Sequence, residues 1–357
     1  MTLDEVQKLI RNSETVKDAD LGGMDLRGAD LRLGRFHRCS LDGANLSGMV
    51  LDKTGFRECS FRGADLSGCS MTDMFLQKME FSGALLENSS FMRCHLQKST
   101  FRDAGLSGAK LHWSFYNKCD FTGASLREAD LFKSVFSESI MVRADLSGAR
   151  VKRASFGKAD LRDIILKGAH LQKVLLNDAD LSGHDFSGQT LREINFMGAD
   201  LSGTNLSNAD VAHCVMQGVK LDGAELHGAV AHSVMLQEAS LKGVRARGAD
   251  FSRSYLGEAD LSLGDFSGAV LKLVRMPKAI CRGTRFAKAD CSNCDMSHAD
   301  LTKADFEQAN LFMATLHGAV QEKTRFTGAN KALMRGVDKE LEAAENWKPR
   351  PNETKGG

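Results

Sequence analysis

The chain repeats an apolar residue every five positions. From Leu21 to Phe326 the residues numbered with a final 1 or 6 form 62 consecutive positions, of which 54 are Leu, Phe or Met. Seven of the remaining eight are Val, Ala, Cys or Tyr, and the last is Gln321. Two residues before each of these positions the side chain is small, with Ala in 30 of the 62 units, as in Ala29-Asp30-Leu31 and Ala199-Asp200-Leu201. A period of five matches neither the 3.6 of a helix nor the 2 of a strand. Sustained without insertion, it predicts a solenoid whose backbone turns a corner in every unit and whose neighbouring coils bury one another.

Read at twenty residues, the apolar positions sort into four walls. Leu21, Leu41, Phe61, Phe81, Phe101 and Phe121 begin wall A, and Leu26, Leu46 and Leu66 begin wall B. Wall C starts with Leu31, Leu51, Met71 and Phe91, and wall D with Phe36, Phe56, Leu76 and Leu96. Like residues would then stack at one strand spacing, which predicts phenylalanine ladders in the core. The corner position two residues after each apolar residue is Gly 24 times, 21 of them after walls A and B and none after wall C. Walls A and B are therefore the regular sides, while C and D carry varied side chains.

These units resemble the pentapeptide-repeat family, whose repeat is of the form A(D/N)LxG, over residues 19–328. The resemblance implies an all-β, right-handed quadrilateral β-helix with four units per coil. The 62 units would make about 15 coils and a length of roughly 70–75 Å. Residues 1–15 are expected to form an N-terminal capping helix, with Thr2 and Glu5 as a capping box and Leu3, Val6, Leu9 and Ile10 on one face. The solenoid is expected over 16–330. Beyond it, Lys331 to Trp347 is read as a capping helix contacting through Leu333, Met334, Val337 and Leu341, followed by a disordered tail to Gly357.

Charge narrows the function classes. Lys and Arg number 47 against 46 Asp and Glu, for a net charge of +1. Balance gives no drive toward nucleic acid or an anionic membrane, so nucleic acid is disfavoured as a partner. No apolar run reaches membrane-spanning length and no signal-type stretch opens the chain, so a cytoplasmic location is expected. All nine cysteines fall at inward positions and read as small buried thiols. Cys39 and Cys59 stack on successive coils, and Cys291 and Cys294 are half of a metal motif without further ligands.

No nucleotide, zinc-protease or hydrolase motif occurs, so no catalytic residue, cofactor or metal is assigned and an enzyme is not expected. His213 and His232 approach across neighbouring coils, too few for a metal site. His184 and Gln189 occupy inward positions and imply a local polar defect or a cavity.

The candidate functional surface is the outward column of wall D together with wall C. Phe75, Phe115, Val135, Leu175, Val215, Met235 and Tyr255 fall in one column, interrupted by His95, Ser155 and Asn195. Trp113 and Phe132 adjoin it on wall C. A contiguous outward apolar strip points to a protein partner or a homodimer. Lys110, Lys118, Lys133, Arg150, Lys152, Arg153, Lys158 and Lys173 flank it. The family resemblance implies a non-enzymatic bacterial scaffold or adaptor, with association to a type VI secretion spike or effector as its narrower form. The alternative carried by the family is a DNA-mimicking inhibitor or protector of gyrase. Neutral charge and an uninterrupted register weigh against it.

Overall fold

The computed structural model describes residues 1–347, and the expected tail lies outside them. Residues are paired in parallel with those twenty positions later, in one run from Thr15↔Arg35 to Asp180↔Asp200 and another from Asn205↔Glu225 to Thr315↔Arg335. The fold is a β-solenoid with a short N-terminal helix. Eight three-residue strands are regular enough to stand out. Six of them, β1 to β6, pair in order on wall D from Thr15–Lys17 to Phe115–Asn117, and β7 (Arg150–Lys152) pairs with β8 (His170–Gln172) on wall C. Elsewhere the register rests on single bridges, because the chain turns immediately after each core residue.

One unit shows why the repeat has its composition. The Phe61 N–H donates to Glu80 O at 2.7 Å, and Ser60 N–H donates back to Cys39 O at 2.9 Å, so the backbone is satisfied between coils. The Ala64 N–H closes the corner on Phe61 O at 3.1 Å. The residue before the close, Gly63, has φ 59°, the left-handed conformation that glycine tolerates best. Asp65 then accepts from the Ser67 N–H at 2.9 Å, satisfying a corner donor from outside. On wall C the same left-handed corner is occupied by side-chain-bearing residues, including Leu33, Trp113, Leu273 and Met313 at φ 56–64°.

The core is as the register predicts. Phe61, Phe81, Phe101 and Phe121 stack with ring centroids 5.3, 4.8 and 4.6 Å apart. Ser and Thr at the small inward position reach a carbonyl on the preceding coil, as Ser139 to Tyr116 O at 2.8 Å and Thr284 to Leu261 O at 2.9 Å. Such bonds remove the cost of burying a hydroxyl.

The chain divides into two compact units. Unit 1 comprises Met1–Asp185 and Thr190–Thr204, and unit 2 comprises Phe186–Gln189 and the chain from Asn205 onward. His184 falls in the first and Gln189 in the second, each half-buried rather than buried. Desolvation lowers the His184 pKa, which favours its neutral form.

α1 spans Leu3–Arg11 with both arms of the Thr2–Glu5 capping box formed, and buries Val6 against the first coil. Its seat requires Gly34. A Cβ there would lie 2.8 Å from the Phe36 ring and 3.1 Å from Ile10 Cδ1.

The C-terminal helix differs from expectation. α2 is Lys339–Glu345, because Asn330 and Arg335 still pair with the preceding coil and keep Lys331–Arg335 in the repeat. Leu333, Val337 and Leu341 are exposed, and α2 buries no residue, so among the described residues the last coil keeps an open end with Gln321 exposed and Phe326 half-buried.

All nine cysteines are buried free thiols. Burial pushes Cys69 up to about 11 and both Cys94 and Cys119 up to about 12. The adjoining Cys59 thiol holds Cys39 below the ordinary thiol range and is itself pushed up. In a timed reaction with an aromatic disulfide, all nine should resist labelling until the chain unfolds, with Cys39 first to yield. Rapid native labelling of several thiols would contradict the inward register.

Partly buried carboxylates set the acid limit. Desolvation raises the Asp265 and Asp300 pKa values, but hydrogen bonds outweigh it. Ser267 and Arg247 bind Asp265, Thr302 and Arg282 bind Asp300, and both groups end below the ordinary range. A depressed folded pKa adds stability above the unfolded value and loses it as pH falls through the folded one. Thermal melts should therefore shift downward below about pH 4, and Asp265→Asn with Asp300→Asn should flatten that dependence.

Candidate functional site

The outward side chains of wall D stand on the strands of unit 1. Phe75 and His95 lie opposite each other on β4 (Phe75–Gln77) and β5 (His95–Gln97), and His95 and Phe115 on β5 and β6 (Phe115–Asn117). Their rings stack at 6.4 Å and 4.8 Å between centroids. Val135 bridges to Phe115 and continues the line. His95, read from the sequence as an interruption, is thus the middle of a stack, because an imidazole face packs on phenyl faces. Phe75 is 66% and Phe115 45% exposed.

A second column runs beside the first. Gln77, Gln97 and Asn117 occupy successive coils, with Gln77 Nε2 donating to Gln97 Oε1 at 3.4 Å. Asn117 Oδ1 is buried without a hydrogen-bond partner. The two columns bound a shallow groove of about 340 Å³ lined by Phe75, His95, Gln97, Phe115, Asn117 and Val135 among others. The sequence held this signal in the amides at 77, 97 and 117, but their pairing could be read only once wall D was known to be strand.

On wall C, Trp113 is 47% exposed with φ 61°. Lys133 Nζ sits 3.8 Å from the centre of its ring, and Phe132, half-buried, packs edge-on at 5.6 Å. One face of the indole is therefore occupied by the chain's own cation. Leu175 is exposed but separated from the stack by Ser155. Val215, Met235 and Tyr255 form a second run in unit 2, joined by bridges, with Arg275 5.5 Å from the Tyr255 ring. The sequence column is thus two local runs, each within its own unit.

Apolar residues are also exposed on walls A and B, including Leu85, Ile140 and Ile165. These are single: Ile140 bridges to Asp120 and Asp160, and Leu85 to Asp65 and Gly105. Contiguity distinguishes the wall D run. The flanking cations are partly paired, Lys118 with Glu138 at 3.2 Å and Arg150 with Asp130 at 3.9 Å. Lys110, Lys152, Arg153 and Lys158 make no ion pair among the described residues.

One cluster escaped the sequence reading. His298, His317 and Glu345 bring three potential ligand atoms within 4.8 Å of one another. His298 Nε2 lies 3.1 Å from Glu345 Oε1, and His317 Nε2 3.3 Å from Oε2. However, the Asp338 N–H donates to His317 Nδ1 at 3.0 Å. That bond leaves the ring proton on Nε2, directed at Glu345, which is the wrong tautomer for a metal at Nε2. The trio is a hydrogen-bonded latch holding α2. Separations of 28 and 47 residues hid it from any spacing rule.

Among the described residues no helix is long and apolar enough to cross a membrane. The solenoid, with its five-residue unit, defines a class of repeat proteins. Sequence families narrow it: the one described as pentapeptide repeat region matches residues 34–111 and 109–186. The one described as pentapeptide repeats (8 copies) matches 194–230, 235–272 and 279–318. The chain belongs to the pentapeptide-repeat family. No curated protein matches it. Among solved structures it is similar to HetL, a pentapeptide repeat protein involved in heterocyst differentiation regulation from the cyanobacterium Nostoc sp. strain PCC 7120. Identity is 21%, coverage 92% of this chain and 96% of HetL, and the TM-score 0.21. It is also similar to QnrB1, a plasmid-mediated fluoroquinolone resistance protein, at 20% identity, 60% and 93% coverage and a TM-score of 0.23. Neither likeness bears on what this chain does.

Proposed function

We propose that the chain is a non-enzymatic scaffold that docks a protein segment on wall D of unit 1. The continuous stack of Phe75, His95 and Phe115 beside an amide column carries this reading. The partner that fits is an extended segment with apolar side chains for the ring edges and an N–H donor for Asn117 Oδ1. Unpaired Lys152, Arg153 and Lys158 favour acidic flanks on that segment. A secretion spike or effector is the narrower form of the proposal, and a second copy of this chain is the competing occupant. Pull-down from the native cell with the parent and a Phe75→Asp/Phe115→Asp variant tests it, with light scattering to detect self-association. Equal capture by both proteins would remove wall D as the docking face. The gyrase reading is disfavoured by the net charge of +1, and a supercoiling assay with added protein decides it.

A further inference from the structure

Unit 2 carries a different groove, at the corner that follows wall C, with a volume of about 500 Å³. Its polar lining comes from His213, His232, Ser233, Ser252, Arg253 and Lys272, and no carboxylate lines it. The register explains how this came about. Three outward arginines elsewhere in unit 2 receive their counter-charge from an acidic residue on the adjoining coil, twenty residues earlier or eighteen later: Arg245 from Glu225 at 2.6 Å, Arg247 from Asp265 at 2.7 Å, Arg282 from Asp300 at 2.5 Å. The positions twenty residues either side of Arg253 are Ser233 and Leu273, and those around Lys272 are Ser252 and Ser292. Eighteen residues on, Arg253 meets Leu271 and Lys272 meets Asp290, whose Oδ1 instead accepts from the Ser292 N–H at 3.0 Å and from Asn310 Nδ2 at 2.9 Å. Neither cation makes an ion pair among the described residues. The nearby Asp250 is engaged otherwise, its Oδ1 accepting from the Ser252 N–H at 2.8 Å.

The two imidazoles add donors to the same corner. Their ring centroids are 5.0 Å apart at 87°, and His232 Nδ1 lies 3.5 Å from Ser233 Oγ. No third metal ligand joins them, since the one three-ligand cluster among the described residues lies at His298, His317 and Glu345. The groove thus offers a guanidinium, an ammonium, two imidazoles and two hydroxyls, all able to donate, with Val270 and Leu273 as an apolar wall. Donors without a matching acceptor, set beside an apolar surface, suit an oxyanion that carries an organic group.

We propose that this corner is a binding site for a small phosphate monoester. The phosphoryl oxygens take Arg253 and Lys272, with the serine and histidine donors completing the contacts, and the organic group lies on Leu273 and Val270. This site is independent of the wall D surface and lies in the other unit.

Titration calorimetry of the full chain with phenyl phosphate and with inorganic phosphate tests the assignment. The expected result is one saturable site per chain, with phenyl phosphate bound more tightly than inorganic phosphate. Ring proton resonances of His213 and His232 should shift along the same isotherm. Arg253→Gln with Lys272→Gln should weaken phenyl phosphate at least tenfold, with an unchanged circular dichroism melt. Arg245→Gln with Arg282→Gln, which removes two paired cations of the same unit, should leave binding as it was. Absence of saturable binding, equal affinity in the Arg253/Lys272 variant, or equal loss in the Arg245/Arg282 variant would each overturn the proposal.

Discussion

Phe101→Ala is expected to destabilise unit 1 by about 3–5 kcal/mol. Phe101 is fully buried and lies in the middle of its ladder, 4.8 Å from Phe81 and 4.6 Å from Phe121. Its edge also meets Phe91 at 6.0 Å and Tyr116 at 6.3 Å. The coils above and below are pinned by backbone bonds such as Phe101 N–H to Asp120 O at 2.6 Å. They cannot close over the vacated space, so a cavity term adds to the lost transfer energy. Ser107→Ala, by contrast, removes a half-buried hydroxyl 3.0 Å from Ser125 Oγ and should cost under about 0.5 kcal/mol. Denaturant melts compare the two directly. Equal losses would mean that inward and outward positions have been interchanged.

The second large effect is on binding. Phe75→Asp with Phe115→Asp should reduce capture of the wall D partner by about a hundredfold or more, since buried aromatic anchors each contribute about 2 kcal/mol or more to such interfaces. The variant places a carboxylate on both sides of His95 and removes both ring contacts that hold its stack. The fold should survive, because both side chains point outward and Leu76 and Tyr116, their inward neighbours, are untouched. Ser82→Asp with Ser107→Asp adds the same two carboxylates to walls A and B and should leave capture near the parent value. Parallel loss in both variants would trace the effect to charge alone.

The fold was legible because a period of five leaves little freedom: Leu21, Leu26, Leu31 and Phe36 can all be buried only if the chain turns between them. The N-terminal cap was legible for a local reason, the three-residue spacing of Thr2 and Glu5. What sequence could not supply were contacts that depend on side-chain faces across coils. His95 looked like a gap in an apolar column, yet stacking makes it continuous. Trp113 looked like a free anchor, but Lys133, twenty residues later, covers one face. The end of the repeat was misplaced because Lys331–Arg335 lacks the usual composition while its backbone still pairs. The division into two units leaves no mark in the apolar register, which runs through residues 185–205 without a slip.

The constant twenty-residue pairing also bears on how the chain acquires its structure. Nearly every inter-coil hydrogen bond joins residues 18–23 positions apart, as in Ser60 N–H to Cys39 O and Leu41 N–H to Ser60 O. Against a length of 357 residues that is a relative contact order of about 0.06, just below the range of fast helical bundles and far from that of slow β-sandwiches. Each loop closed is short, so the entropy lost before the first reward is small. A new coil needs only its predecessor as a template, and α1 with the first coil provides one as soon as those residues have been made. Assembly can then proceed like a zipper during synthesis, well before Trp347 has been made.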